Sequence, residues 1–281
     1  MKVGVVGAGV IGVTVAHALL EAEHDVVLID TDPEAIDGAR TNIHSHARVL
    51  RMHGAAGRAH VSIDEMMSRL SPSRDYAVLN DADLVIENVT EELAAKLAVH
   101  RILERVCVSR AIFAANTSAI PIAAIAEASQ RPDRVMGIHF MNPVSLIPMV
   151  EVITTAQTSD HAILTVSSLL ESLGKSWVVV GDSPGFVINR ILMLMINEAA
   201  KVVAEGVATA ENADRLFQGC LGHRMGPLRT ADLIGLDTIV RTLRVLEQGI
   251  GCRFAPAPHL IALVSRGHLG RKSAQGFYHY G

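Results

Sequence analysis

Three short polar segments interrupt the apolar pattern of this 281-residue chain, each at the end of a predicted strand. They are 116–118 (NTS), 139–143 (HFMNP) followed by Glu151, and 182–190 (DSPGFVINR), which contains Asn189. An imidazole such as that of His139 is the natural proton acceptor near neutral pH, and a carboxylate such as Glu151 could fix its tautomer and stabilise its charged form. These residue types predict proton-transfer chemistry. Considered alone, a histidine at the end of a strand is more often structural than catalytic.

A glycine-rich turn follows the first predicted strand. The segment VGVVGAGVIG places three glycines at GxGxxG spacing. The first glycine permits a tight turn, the second lets the backbone approach a pyrophosphate, and the third lets helix and strand pack closely. The N-terminus of the next helix offers unpaired N–H groups and a positive dipole end to phosphates. We therefore predict dinucleotide contacts from Gly7, Gly9, Val10, Ile11 and Gly12.

The second predicted strand ends at a carboxylate. Asp30 lies 18 residues after Gly12, where an acidic side chain can accept hydrogen bonds from both ribose hydroxyls of an adenosine. A 2′-phosphate would be repelled by this carboxylate, and no arginine directly follows it. The sequence therefore predicts NAD rather than NADP. The alternative is a structural glycine turn with a solvated aspartate.

Strand-like and helix-like segments alternate through the first 182 residues. Strands are predicted at 2–6, 25–29, 82–87, 111–115, 134–140, 149–153 and 177–180, and the residues between the helix opening at Pro33 and the third strand are interpreted as a polar stretch. This alternation predicts parallel βαβ units in a doubly wound, mostly parallel α/β sheet of the Rossmann type. Because ligands bind outside the carboxyl ends of strands in such sheets, the polar segments would face the cofactor.

The pattern changes after Asp182. The cluster Ser183-Pro184-Gly185 marks a turn, and helical periodicity dominates beyond it, at 186–203, 210–218, 230–248 and 258–266. We therefore predict two domains, a dinucleotide-binding domain at 1–182 and an all-helical domain at 183–281.

Composition excludes several classes of protein. With 25 basic and 29 acidic residues the net charge is −4, which is not the charge of a nucleic-acid-binding protein. No stretch offers the ~20 uninterrupted apolar residues of a membrane span. The three cysteines are far apart and in no metal-like spacing, so we expect reduced thiols, no metal site and a cytoplasmic protein.

Six segments of the chain form a recognisable series: GAGVIG, NTSAI, GIHFMNP followed by VEVI, DSPGFVINRIL, MGPLRTADLIGLDT and the terminal LGRKSAQGFYHY. In these segments the chain resembles the 3-hydroxyacyl-CoA dehydrogenases, a family that includes 3-hydroxybutyryl-CoA dehydrogenases. These motifs occur in the family's order and spacing over essentially the whole chain.

The resemblance implies a role for each matched residue. His139 would be the general base and Glu151 its partner, while Ser118 and Asn189 would hydrogen-bond the substrate oxygen. Contacts on the nicotinamide side would come from Glu91, Lys96, Ser118 and Asn142. Lys272, in the LGRKS motif near the end of the chain, would be a further contact of the cofactor. In such chemistry the base takes the hydroxyl proton while the cofactor accepts a hydride. The resemblance also implies a homodimer formed through the helical domain, whereas the motif residues Asp232 and Asp237 are expected to be helix caps rather than catalysts.

The sequence departs from the family pattern where the carrier of the substrate would bind. The family's CoA-contacting Ser and Lys align with His46 and His53, and the segment 38–63 has four arginines and no acidic residue. Pro148 and Trp177 are also unusual for the family. The basic segment is interpreted either as a solvated face or as a docking site for a phosphate-bearing partner, with Arg51 as the candidate contact.

Three functions therefore stay open at this point. The first is oxidation of a 3-hydroxyacyl-CoA. The second has the hydroxyacyl group on an acyl carrier protein, or a small hydroxy acid as substrate. The third is a redox-silent binding protein that has kept the dinucleotide fold. The complete set of Ser118, His139, Glu151 and Asn189 argues against the third.

Overall fold

A computed structural model of the chain describes residues 1–52 and 61–281. These residues form two compact units, Met1–Asp182 and Ser183–Gly281. The first is an α/β unit and the second is built from helices.

The first unit contains one eight-stranded sheet. Its strands are β1 (Lys2–Val6), β2 (Asp25–Ile29), β3 (Leu70–Ser73), β4 (Leu84–Glu87), β5 (Ile112–Asn116), β6 (Val135–His139), β7 (Met149–Thr154) and β8 (Ser176–Gly181). Their order across the sheet is β3-β2-β1-β4-β5-β6-β7-β8. All neighbouring pairs are parallel except β6 and β7, which run antiparallel. The predicted fold class, a mostly parallel Rossmann-type sheet, is confirmed.

Helices flank this sheet. They are α1 (Val10–Glu21), α2 (Pro33–Met52), α3 (Ile63–Ser68), α4 (Leu93–Val106), α5 (Ile122–Ala126) and α6 (Asp160–Ser172). Short 3₁₀ turns lie at Tyr76–Leu79 and Pro132–Arg134. The central strands β1, β4 and β5 are buried on both faces, which explains why their sequences are mostly apolar throughout and do not alternate between apolar and polar residues.

The edge strand β3 is absent from the sequence-based prediction. Its sequence, Leu70-Ser71-Pro72-Ser73, has low strand propensity and contains a proline. Proline is tolerated on an edge strand because only one side of the strand must donate to a neighbour. Pairing with β2 therefore creates this strand, and its own residues give little indication of it.

The second unit consists of α7 (Ile188–Ala204), α8 (Ala210–Leu221), α9 (Pro227–Ile234), α10 (Leu236–Ile250) and α11 (Pro258–Ser265), with 3₁₀ turns at Cys252–Phe254 and Arg271–Ser273. The single helix predicted at 230–248 is wrong. Gly235 has φ of +104°, which lies outside the helical region and which glycine adopts more easily than other residues. This residue separates α9 from α10.

Asp232 is not the helix cap that the sequence suggested. It lies inside α9, is buried, and accepts hydrogen bonds from the backbone N–H groups of Phe277 and Tyr278 and from the hydroxyl of Tyr280. It therefore fastens the C-terminal segment to α9. Asp237 is not the N-cap of α10 either, since Gly235 holds that position, but it lies in the first turn, where a negative charge interacts favourably with the helix dipole.

None of the described helices is long and apolar enough to cross a membrane.

Candidate active site

The centre of the site is a buried pair of side chains on neighbouring strands. His139, the last residue of β6, lies directly opposite Glu151 of β7 in the antiparallel register. Opposed residues project from the same face, so the imidazole Nδ1 lies 2.8 Å from the Glu151 Oε2. The two residues are only 4% and 6% exposed. The structure thus brings together the predicted base and its predicted partner, and assigns Nδ1 as the nitrogen that donates to the carboxylate.

Glu91 organises the NTS turn that follows β5. Its Oε1 accepts hydrogen bonds from the Thr117 hydroxyl (2.6 Å), the Ser118 N–H (2.7 Å) and the Ala119 N–H (3.1 Å). Ser118 itself is exposed. One carboxylate therefore fixes the backbone that presents Ser118, so the predicted residues Glu91 and Ser118 are joined in one structural unit.

Lys96 lies in a buried charge cluster beside this turn. Its side chain is fully buried, and Nζ donates to the Glu87 Oε1 (2.9 Å) and to the Asn116 carbonyl oxygen (2.8 Å). The Glu91 Oε2 lies 3.9 Å away. These contacts make Lys96 a support for the ends of β4 and β5, and its direct contact with the cofactor stays a prediction.

Sequence reasoning missed a row of amides at the carboxyl ends of three adjacent strands. The Asn116 Nδ2 donates to the Asn88 Oδ1 (2.7 Å), and the Asn116 Oδ1 accepts the Phe140 N–H at 3.3 Å. Asn88 follows β4, Asn116 ends β5 and Phe140 follows β6. This bridge holds the three strand ends in a fixed relation. The only sequence signal for it was that both asparagines stand at strand ends.

Asp182 was also missed as a contributor. Its two carboxylate oxygens accept the N–H groups of Ile122 (3.0 Å) and Ala123 (2.7 Å), the first two residues of α5. It therefore caps the helix that follows the NTS turn.

The glycine-rich turn has the geometry that a dinucleotide needs. Gly7 has φ of +99°, and a Cβ there would lie 2.7 Å from the Asn88 carbonyl oxygen. A Cβ on Gly12 would overlap the Gly7 carbonyl oxygen, whereas one on Gly9 would meet no other atom of the described chain within 4 Å. Gly9 caps the N-terminus of α1, and Val10 is largely exposed, so the space over this helix end is open. These features fit a pyrophosphate.

Asp30 completes the dinucleotide site. Its Oδ2 accepts the Ala8 N–H at 2.7 Å, and its Oδ1 accepts the Asp32 N–H at 3.0 Å. The carboxylate is thereby fixed at the turn, and an ionised carboxylate has further lone pairs with which to accept ribose hydroxyls.

Arg51 is engaged within its own unit. Its Nη2 donates to the Glu21 Oε1 and to the Val61 carbonyl oxygen, both at 2.9 Å. The nearby His17 and Arg51 side chains outweigh burial and lower the pKa of the Glu21 carboxyl. The Arg51 guanidinium is thus paired with this carboxylate, and its contact with a phosphate-bearing partner stays a prediction. His46 packs edge-on against His17 and its Nε2 lies 3.3 Å from the Ser145 Oγ, while His53 lies outside the described residues.

The remaining predicted site residues have the following places. Asn142 is exposed in the turn after β6. Asn189 lies in the first turn of α7, and Lys272 pairs with Asp237 at 2.5 Å, both within the second unit. Their roles toward cofactor and substrate stay predictions. Within the described residues, no cluster of three or more His, Cys, Asp or Glu side chains could hold a metal ion.

Comparison with known proteins decides the family. The chain matches the family model for the NAD-binding domain of 3-hydroxyacyl-CoA dehydrogenase over residues 2–183 and that for its C-terminal domain over residues 185–280. The chain belongs to the 3-hydroxyacyl-CoA dehydrogenase family. The resemblance predicted from the motifs is thereby confirmed.

Relatives of the chain align with it from end to end. It is 41% identical over 281 residues to a protein of Deinococcus radiodurans and 40% identical over 280 residues to one of Bacillus subtilis, each named a probable 3-hydroxybutyryl-CoA dehydrogenase. These alignments cover 100% and 99% of this chain, and 100% and 97% of the relatives. The crystal structure of (S)-3-hydroxybutyryl-CoA dehydrogenase from Ralstonia eutropha is 36% identical, with a TM-score of 0.94 and coverage of 100% and 99%.

As a 3-hydroxyacyl-CoA dehydrogenase family member, the chain is an NAD-dependent oxidoreductase that interconverts 3-hydroxyacyl and 3-oxoacyl thioesters. The prediction of NAD as cofactor is confirmed. The redox-silent alternative is therefore set aside.

Proposed function

We propose that this enzyme oxidises a short-chain 3-hydroxyacyl-CoA, such as 3-hydroxybutyryl-CoA, with His139 as the general base. The observation that carries this proposal is the opposed, buried His139–Glu151 pair at the carboxyl ends of the strands. The names of the full-length relatives support the choice of substrate.

NAD, when bound, supplies the hydride acceptor. With the Nδ1 proton of His139 donated to Glu151, the basic nitrogen of the imidazole is Nε2. This nitrogen takes the proton of the substrate's 3-hydroxyl group, and in the reverse direction it returns the proton to the nascent alkoxide. The Glu151 carboxylate stabilises the imidazolium, and burial strengthens that attraction because the local dielectric is low.

Ser118 would hold the reacting oxygen in line with His139, while Asn189 stays a predicted contact of the substrate. Ser118 is presented by a turn whose backbone is fixed by Glu91, so its position is set before substrate binds. Such positioning can lower the activation free energy by several kcal/mol, because the translational and rotational entropy of the reacting groups is lost on binding and not in the chemical step.

The cofactor would be held from Gly7 to Gly12 at its pyrophosphate and by Asp30 at its adenosine ribose. Glu91, Lys96 and Asn142 would act on the nicotinamide side, Lys96 by supporting the strand ends. Lys272 is a further candidate in the second unit.

The carrier of the acyl group can be tested by comparing substrates. We expect NADH oxidation with acetoacetyl-CoA to exceed that with acetoacetyl-pantetheine and with the same acyl group on an acyl carrier protein. A strong preference for the carrier protein would instead support the alternative suggested by the basic residues of α2, among which Arg48 is exposed. Activity with only a free hydroxy acid would contradict both thioester proposals.

We also propose that the enzyme is a homodimer joined through the second unit. Several large apolar side chains on or next to α7 and α8 are exposed, including Ile191 (64%) and Leu216 (59%), and such surfaces often mark subunit contacts. Light scattering should give a dimer for the wild type and a monomer for Ile191→Glu. The control Leu164→Glu, at an equally exposed leucine of α6, should stay dimeric. A monomeric wild type would contradict the proposal.

A reducing, cytoplasmic location is the accompanying proposal. Cys220 and Cys252 are exposed thiols, and burial raises the pKa of the Cys107 thiol to about 11. Cell fractionation tests this location, and recovery outside the cytoplasm would contradict it.

A further inference from the structure

A buried lysine contacts the turn that joins β6, which carries His139, to β7, which carries Glu151. Lys175 directly precedes β8 and is only 8% exposed. Its Nζ donates hydrogen bonds to the carbonyl oxygens of Val144 and, at 2.8 Å, of Ile147. Both carbonyls belong to the segment 143–148, which we call the β6–β7 turn.

No carboxylate of the described part of the chain pairs with this ammonium group. Within residues 1–52 and 61–281, Lys175 takes part in no ion pair, and burial lowers the pKa of its amine. Burying a charge is costly unless it is compensated. The two carbonyl oxygens provide that compensation, so the position of the β6–β7 turn and the burial of Lys175 depend on each other.

The same turn is held at other points as well. The Pro143 carbonyl oxygen accepts the N–H groups of Leu146 and Ile147, both at 3.1 Å, and the Pro148 carbonyl oxygen accepts the Ser176 N–H at 2.8 Å. On another side, Ser145 contacts His46 of α2. Lys175 is the group that reaches two carbonyls of the turn at once.

The turn begins immediately after Asn142. Between the base and the turn lie only Phe140, Met141 and Asn142, and Asn142 is exposed. A displacement of the turn would therefore move Asn142, while His139 would still be fixed by its strand register with Glu151.

We propose that Lys175 is a positioning residue that sets the place of Asn142 by fixing the β6–β7 turn, and so contributes to binding of the nicotinamide half of the cofactor. This inference rests on the role proposed above for Asn142. It assigns Lys175 no contact with substrate or cofactor.

The test measures NADH affinity by fluorescence for Lys175→Met, with Lys201→Met as the matched control. Lys201 is an exposed lysine paired with Glu198 on α7, so its loss should leave affinity unchanged. For K175M we expect the Kd for NADH to rise about tenfold, because small misplacements of a binding group are costly. We expect kcat with acetoacetyl-CoA to fall as well, and the midpoint of unfolding to fall only modestly.

A double variant separates positioning from simple loss of stability. In an Asn142→Ala background, K175M should weaken NADH binding by less than about twofold, because both changes remove the same contact. Three results would overturn the proposal. The first is K175M that unfolds at a lower temperature but binds NADH like the wild type. The second is a tenfold loss of NADH affinity from K175M that persists in the Asn142→Ala background, and the third is an Asn142→Ala variant with unchanged NADH affinity.

If K175M does not fold, Lys175→Gln is measured by the same criterion. Its amide still donates hydrogen bonds but has no charge, so NADH binding weaker than that of the wild type is expected and equal binding would overturn the proposal. NADH affinity does not depend on the acyl substrate. A wild type that binds NADH but reduces no 3-oxoacyl thioester would therefore contradict the proposed function alone.

Discussion

At the scale of single residues, the pairing of His139 with Glu151 has a consequence that can be measured separately from folding. A buried imidazolium next to a carboxylate is stabilised by the opposite charge, whereas one next to a neutral amide is not. Gln is nearly the same size as Glu and can still accept the Nδ1–H hydrogen bond. Charge is therefore the main property that Glu151→Gln removes.

We expect E151Q to lower kcat by on the order of 10- to 100-fold while leaving NADH affinity nearly unchanged. The matched control is Glu198→Gln, an exposed glutamate of α7, which should leave kcat unaltered. Steady-state kinetics with acetoacetyl-CoA provides the measurement. A kcat for E151Q equal to that of the wild type would show that the carboxylate charge takes no part.

Candidate site residues could be picked out from the sequence where a polar side chain stands within or next to an apolar strand. His139 and Asp30 stand out because each ends or directly follows an apolar run, and Glu151 stands out because it interrupts one. Lys175 and Asn88 did not stand out. A lysine just before a strand is usually solvated, and only the packed structure shows that this one is buried against two carbonyls. Asp232 was misread because its partners, Phe277, Tyr278 and Tyr280, are distant in sequence.

At the scale of elements, the turn from β1 into α1 can be tested by two glycine substitutions with different expected results. Gly9 has φ of −69°, which alanine adopts easily, and its Cβ would point into open space. Gly12→Ala would instead force the helix away from the Gly7 carbonyl oxygen.

We expect G9A to unfold at the wild-type temperature but to bind NADH weakly, because the added methyl group occupies the space of the pyrophosphate. G12A should bind weakly and also lose about 1–3 kcal/mol of stability through overpacking. Thermal unfolding and NADH titration distinguish the two variants. Wild-type NADH affinity in G9A would contradict the placement of the cofactor at this turn.

The start of α10 gives a prediction about pH. Partial burial opposes ionisation of Asp237, but the hydrogen bond and charge of Lys272 outweigh it, so the pKa of this carboxyl lies below its usual value. A carboxyl whose pKa is lowered in the folded state stabilises that state above its unfolded pKa of about 3.9. The stabilisation is lost as pH falls through the folded pKa.

Asp237→Asn should therefore lower the free energy of unfolding at pH 7 by about 0.2–1 kcal/mol, a small value because the pair is partly exposed to solvent. Urea denaturation at pH 7 and at successively lower pH provides the measurement. The difference between variant and wild type should shrink below pH ~4. A difference that grows on acidification would contradict the direction of this shift.

Most elements were predictable because the central strands and α1 are short apolar runs bounded by turns, and because α4 and α6 have amphipathic helical patterns. Two failures have local physical causes. The single helix predicted at 230–248 was wrong because the helical pattern continues through Gly235, and nothing in that pattern shows that this glycine has a positive φ. β3 forms from a polar, proline-containing segment because β2 offers it a neighbour.

At the scale of the whole molecule, the two family models together span nearly all of both units. The fold and the cofactor follow from general features such as the glycine turn and the strand order. The carrier of the acyl group is a finer property that the fold alone does not determine, and its prediction rested on the basic segment 38–63. The pairing of Arg51 with Glu21 could not be read from the sequence, because the two residues are 30 positions apart.

The most direct measurement compares turnover and cofactor binding in His139→Gln. If His139 is the base, this variant should bind NADH nearly as tightly as the wild type, because the glycine turn and Asp30 are untouched, while its kcat falls by at least about 100-fold. Turnover close to that of the wild type, with NADH affinity intact, would contradict the assignment of His139 as the residue that moves the proton.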